Sequence, residues 1–192
     1  MPKSVLFDRE EVLRKVTTLF WEKGYHGTSM QDLVDATGLN RSSIYNSFGD
    51  KFQLYEESLK YYQGLQSELV NSYFAQAQSP KQSIISLFEG IRDEIIKGPG
   101  EKGCFLSNCT TELSHSEPRI HDFLVKNKER MTRMFSALIQ KAQQTGEIAS
   151  SKNARHLALY LFSSLQGLRV TSMLDKKRSD IQGITDQILS VL

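Results

Sequence analysis

Arg41, Ser42, Ser43, Tyr45, Asn46 and Ser47 crowd one short stretch, LNRSSIYNSF, and set guanidinium, hydroxyl and amide groups side by side. Such groups donate and accept hydrogen bonds to base edges and phosphate oxygens. Ile44 and Phe48, four apart, fall on the opposite side of a helix, with Leu39 just ahead of its cap, Asn40. A helix so short and so polar has little to offer a core, and its chemistry is that of a reading surface. The alternative is a solvated helix that ties two others together. Lys51, at the start of the next helix, can bring its charge and that helix's free amides to a phosphate.

A second stretch, KGCFLSNCTTEL, carries the only two cysteines. Cys104 follows Lys102 and Gly103, just past a Gly98-Pro99-Gly100 break, at an expected helix N-terminus. Helix amides and a nearby lysine both favour the thiolate, the reactive form of the side chain. Two readings stand: a sensing thiol, or a small residue packed at a helix start. Cys109, five positions on, turns to another face and reads as core; thiols so placed on one regular helix diverge, which argues against a disulfide. Phe88, Phe105, Phe123, Phe135 and Phe162, with Ile91 and Tyr160, are candidates to line a ligand pocket with Met131 and Met134 as adaptable walls, though core packing is the first reading of each. Glu112, His115, Glu117 and His121 cluster in sequence, but their spacing fits no metal site, so no metal or cofactor is expected.

The elements that position these groups read as all-helical. Asp8 with Glu11 fits a capping box, stapled by Phe7 and Val12, and opens a helix through Val16, Leu19 and Phe20 that Gly24 stops. Thr28 with Gln31 reads as a second box, opening a helix that ends at Gly38. Asp50 with Gln53 opens a long helix running toward Gln78; Ser79-Pro80, Pro118, Ser151 or Asn153, and a segment around Ile181 to Leu192 mark later ones. The total is about nine helices and no sheet, divided into a head at 1–50 and a helical domain at 51–192. Three helices in about fifty residues, with a tight glycine turn between the second and third, match a helix-turn-helix.

Composition bounds the partners. The 192 residues carry 24 Lys plus Arg against 22 Asp plus Glu, a net charge of +2, so a DNA surface has to come from placement rather than bulk charge. No apolar run is long enough to span a membrane, and MPKSVLFDREEV lacks the pattern of a secretory signal, so an intracellular protein is expected. HExxH, GxSxG, P-loop and dinucleotide fingerprints are absent from the sequence. An all-helical enzyme and a helical protein-binding adaptor are the rival readings, and both predict no affinity for specific DNA.

The block GTSMQDLVDATGLNRSSIYNSFGDKFQLYEESL resembles the DNA-binding signature of the TetR family of bacterial transcriptional repressors, through Gly27-Thr28, Gly38, Tyr45, Phe48 and Lys51. The resemblance covers about residues 10 to 60. It implies a ligand-binding and dimerisation domain after the head, and a cytoplasmic, nucleoid-associated homodimer whose short helices enter successive major grooves of a palindromic operator. It implies release by a small-molecule or thiol-modifying inducer. Carried onto this chain, DNA contact falls to Thr28, Arg41, Ser42, Ser43, Tyr45, Asn46 and Lys51. The Gly103-Cys104 opening is similar to that of the sixth helix in a branch with electrophile- and oxidant-responsive repressors, and the last two helices become the dimer surface, with Gly167 permitting close approach.

Overall fold

Asp8 accepts hydrogen bonds from the amides of Glu10 and Glu11 and so starts the first helix, α1 (Arg9–Lys23). Glu11 does not reach back to complete a box; it pairs with Lys15 at 3.0 Å. Phe7 packs on Phe48, ring centroids 5.9 Å apart. The computed structural model describes residues 7–98 and 102–192. The first six residues, and Pro99 and Gly100 of the expected break, lie outside the described residues.

Eight helices follow among the described residues: α2 (Met30–Thr37), α3 (Arg41–Phe48), α4 (Lys51–Ala75), α5 (Pro80–Lys97), α6 (Phe105–Leu113), α7 (Pro118–Gln144), α8 (Ala154–Leu174) and α9 (Arg178–Leu189). The cap of α2 is displaced by one residue from the expected one. Ser29 and Asp32 form the reciprocal box, because the Thr28 hydroxyl is buried and donates to the Gly24 carbonyl at 2.7 Å. At the other end of α2, Gly38 takes a left-handed φ of 72° and returns its amide to the Val34 carbonyl, which makes the turn into α3. The long α4 stops at Ala75, three residues short of the expected end.

Two apolar clusters organise the chain. The first gathers Val16, Phe20, Leu33, Ile44 and Phe48 from the head, then continues without a break into Leu54, Tyr55 and Tyr62 of α4 and Phe105, Cys109 and Leu113 of α6. Edge-to-face rings knit it, Phe20 on Tyr55 at 4.9 Å and Tyr55 on Phe105 at 5.5 Å. The second is built from Ile84, Leu87 and Phe88 of α5, Phe135 and Ile139 of α7, Leu161 and Leu168 of α8, and Ile181 and Ile188 of α9. The core of the first fifty residues thus extends into the following domain.

Candidate nucleic-acid interface and effector cavity

The short helix α3 sits on the head by Ile44 and Phe48, which are 0% and 4% exposed. Asn40 accepts the Ser43 amide and sets its start. Arg9 fixes its end, donating to the Ser47 carbonyl at 2.9 Å while its guanidinium lies 4.2 Å from the centre of the Phe48 ring. Arg41, Ser42, Tyr45 and Asn46 are exposed and Ser43 is half-buried. Tyr45, at 49% exposure, is a large ring held outside the core by a rigid helix. Lys51 occupies the first position of α4, its ammonium 4.3 Å from the Tyr25 ring centre, and burial lowers its pKa. Thr28 is different: with its side chain 1% exposed and its hydroxyl bonded to Gly24, it has no free group for a phosphate.

Helix α6 is tied to the head at both ends. Before its start, the Lys102 carbonyl accepts the Trp21 indole N–H at 2.8 Å, and the Lys102 ammonium pairs with Glu22. Near its end, the two carboxylate oxygens of Glu112 accept the backbone amides of His26 at 2.8 Å and Tyr25 at 3.0 Å. Glu112, which the sequence sets in a cluster with His115, Glu117 and His121, is therefore a clamp on the turn between α1 and α2. Among the described residues, no group of three His, Cys, Asp or Glu side chains is placed to hold a metal ion.

The opposite face of α6 meets a partly open cavity of about 130 Å³ formed with α4, α5, α7 and α8. Cys104 is the N-terminal cap residue of α6 and borders this cavity. It is 7% exposed, with the Tyr62 hydroxyl donating to its sulfur at 3.7 Å. Burial pushes the thiol up, but the Arg169 guanidinium, the Ser107 amide and hydroxyl and the Tyr62 hydroxyl outweigh it, and the net direction is down. The cation beside the sulfur is thus Arg169 of α8; the lysine expected in that role, Lys102, is engaged with Glu22. Cys109 is fully buried in the first core and burial pushes it up to about 11.

Of the five candidate pocket phenylalanines, Phe162 borders the cavity, together with Met131 and Met134. Phe88 and Phe135 are fully buried against each other in the second core, 6.2 Å apart, and Phe105 is fully buried in the first. Phe123 borders a separate surface cleft beside Arg119 and Lys60. Apolar helical spacing does not distinguish a pocket wall from a core contact, so these side chains sort only in three dimensions. Arg169 could have been noticed, since a charge in the apolar run LQGLRV, beside the stripe Leu161, Leu165 and Leu168, needs an explanation. Nothing local marks Glu112, whose partners are backbone groups more than eighty residues away.

Comparison with known proteins places the chain in company. The family model "Bacterial regulatory proteins, tetR family" matches residues 13–58, and "Tetracyclin repressor-like, C-terminal domain" matches residues 80–188. The HTH-type transcriptional repressor ComR of Escherichia coli (strain K12) is 29% identical over 168 residues, which cover 87% of this chain and 80% of that protein. The uncharacterized HTH-type transcriptional regulator YezE of Bacillus subtilis (strain 168) is 26% identical over 193 residues and covers 100% of both. The fold matches a cysteine mutant of the TetR family regulator CifR, solved with 26 bp of double-stranded operator DNA, with a TM-score of 0.85 at 22% identity over 99% of this chain and 98% of that one.

Proposed function

The chain belongs to the TetR family of bacterial transcriptional repressors and is a DNA-binding transcription factor, not an enzyme; from that premise we propose that it acts as a homodimer on a palindromic operator and is released by an inducer. One observation carries the DNA reading: a rigid helix stands on two buried anchors and turns Arg41, Ser42, Tyr45 and Asn46 outward. Arg41, Asn46 and Tyr45 read base edges and phosphates, Ser42 and Ser43 allow close approach, and Lys51 with the first amides of α4 holds a flanking phosphate. The head is residues 1–50 and the effector domain 51–192. No described helix is long and apolar enough to cross a membrane, and we place the protein with the nucleoid in the cytoplasm.

The second copy is expected on α8 and α9. Tyr160, Val170 and Leu174 are exposed on α8, Leu174 at 88%, and Gly167 on the same face leaves room for a partner helix, since an added Cβ would meet nothing within 4 Å. Two helices per copy make a four-helix seam that sets the two heads about one DNA turn, roughly 34–36 Å, apart. Release follows from a change at the cavity carried to the head by α6, by alkylation or oxidation of Cys104 or by a ligand held beside it. The test is fluorescence anisotropy of the reduced protein on DNA flanking its own coding region. Tight binding by the wild type and its loss in Tyr45→Ala at unchanged melting temperature are expected; equal binding by the two would overturn the assignment of α3. Release by an electrophile that Cys104→Ser abolishes supports the thiol route, and release that survives the substitution moves the inducer to the cavity.

A further inference from the structure

The cavity has an electrostatic asymmetry that its position in the fold does not require. Its wall carries two guanidiniums, Arg169 and Arg130, and no aspartate or glutamate. Arg169 is partly buried between this cavity and a second one on the side of Trp21. Among the described residues it makes one hydrogen bond, from Nη2 to the Gln66 side-chain oxygen at 3.1 Å, and no ion pair. Glu94 shares that second cavity with Arg169 and each charge favours the other, but the two form no ion pair and the carboxylate accepts from Tyr73 at 3.4 Å. Arg130, at the mouth, donates to Ser67 at 2.8 Å and to Asn127 at 3.2 Å, both neutral. Holding a guanidinium away from water against neutral acceptors is costly, and an anion with two oxygens is the partner that its planar fork fits. Tyr62 and Cys104 are the lining groups able to become anions. Burial holds the Tyr62 hydroxyl far above its ordinary range, and Cys104 is an anion only as the thiolate, the form that Arg169 favours.

The rest of the wall mixes neutral polar groups, Gln63, Asn71 and Gln166 among them, with an apolar side formed by Leu87, Ile91, Met131, Met134, Phe162 and Leu165. The volume of about 130 Å³ is close to that of a cavity that accommodates benzene, roughly 150 Å³. A wider cleft of about 360 Å³ shares Leu106, Asn127, Phe162 and Gln166 with it and offers space for a longer tail.

We propose that this cavity binds a small organic carboxylate, its head on Arg169 with Arg130 at the mouth and its apolar body between Met131, Met134 and Phe162. The proposal deepens the inducer reading above and rests on it only for the consequence at the operator. Cys104 stands on the same wall, so a bound carboxylate and a Cys104 thiolate compete for one guanidinium.

Isothermal calorimetry of the full chain, without DNA, tests it with butyrate, hexanoate and benzoate, each against its primary amide. At least one acid is expected to bind about thirtyfold or more tighter than its amide, the size of effect that a buried charge pair produces. In Arg169→Gln, checked for folding by its melting temperature, acid and amide should bind alike. Arg130→Gln, at the solvent side, should narrow the gap less, and it decides the matter with the wild-type comparison should Arg169→Gln fail to fold. Amides binding within threefold of every acid, no heat from any acid, or a gap that survives Arg169→Gln would each overturn the proposal. Because the measurement involves no operator, a failure of the DNA reading leaves it intact.

Discussion

Replacing Glu112 by Gln leaves the side chain's shape and removes one of the two oxygens that hold the α1–α2 turn. The amide group that takes its place presents a donor to a backbone N–H that needs an acceptor. A hydrogen bond from a backbone amide to a carboxylate contributes about 1.5–3 kcal/mol. Glu112 is half-buried and His26 exposed, so solvent screening places the loss near the low end, about 1.5–2 kcal/mol. That corresponds to an opening of the turn favoured roughly 10- to 30-fold over the wild type. For a chain of this length the melting temperature should fall by about 3–8 °C. The local figure is the sharper one: hydrogen exchange at the Tyr25 and His26 amides, followed by NMR, should accelerate about 10- to 30-fold, while the Ile44 amide in α3 is unaffected. Exchange within threefold of the wild type at both amides would refute the clamp, whatever happened to global stability.

The remaining expectations concern charge. Arg41 and Lys51 are the cations presented with the reading face, about four in a dimer, so log affinity against log salt should fall with a slope near −4; a slope of −8 or steeper in a salt titration of operator binding would show that the contacts lie elsewhere. The two thiols should separate under iodoacetamide at pH 8, Cys104 carrying label before Cys109, whose pKa stands at about 11; peptide mass spectrometry showing Cys109 labelled first would contradict the Arg169 effect. Hydrogen bonds from Lys23 and Ser29 hold the Asp32 carboxyl far below its ordinary 3.8. A depressed acid stabilises the fold fully above its unfolded value, and the contribution fades as pH drops below that value toward the folded one. Acid unfolding should therefore become less steep below about pH 4 in Asp32→Asn, and an unchanged acid limb would count against the bond.

The parts of this molecule that could be read from sequence are those whose physics is local. Capping groups, glycine turns and the anchors Ile44 and Phe48 act within a few residues of one another, so the helix-turn-helix and its outward groups were legible before any coordinates. Where two neighbouring residues offered the same chemistry, as Thr28 and Ser29 did at the start of α2, the choice fell to burial, which a local pattern does not contain. The effector half was legible as helices and illegible as a site. Phe88, Phe135 and Phe162 share one pattern, yet two are sealed in a core and one faces a cavity. Lys102 looked like the cation for Cys104 because it is two residues away; the cation that matters is 65 positions further on, brought across by the packing of α8.

Helix α6 has a consequence for how such regulators exchange parts. Phe105, Cys109 and Leu113 recur every fourth residue and are built into the first core, while Leu106, Ser107 and Thr110 on the adjoining faces border the cavities. A chimera joined at residue 50 would carry a head whose aromatic stack had lost its cover, and would be expected to aggregate rather than report a new inducer. A workable graft has to take α4 and the inner face of α6 along with the head and leave the outer face to the donor of specificity. Recombination between relatives is expected to succeed only where the Phe105-Cys109-Leu113 register of one parent still fits the Phe20–Tyr55 corner of the other.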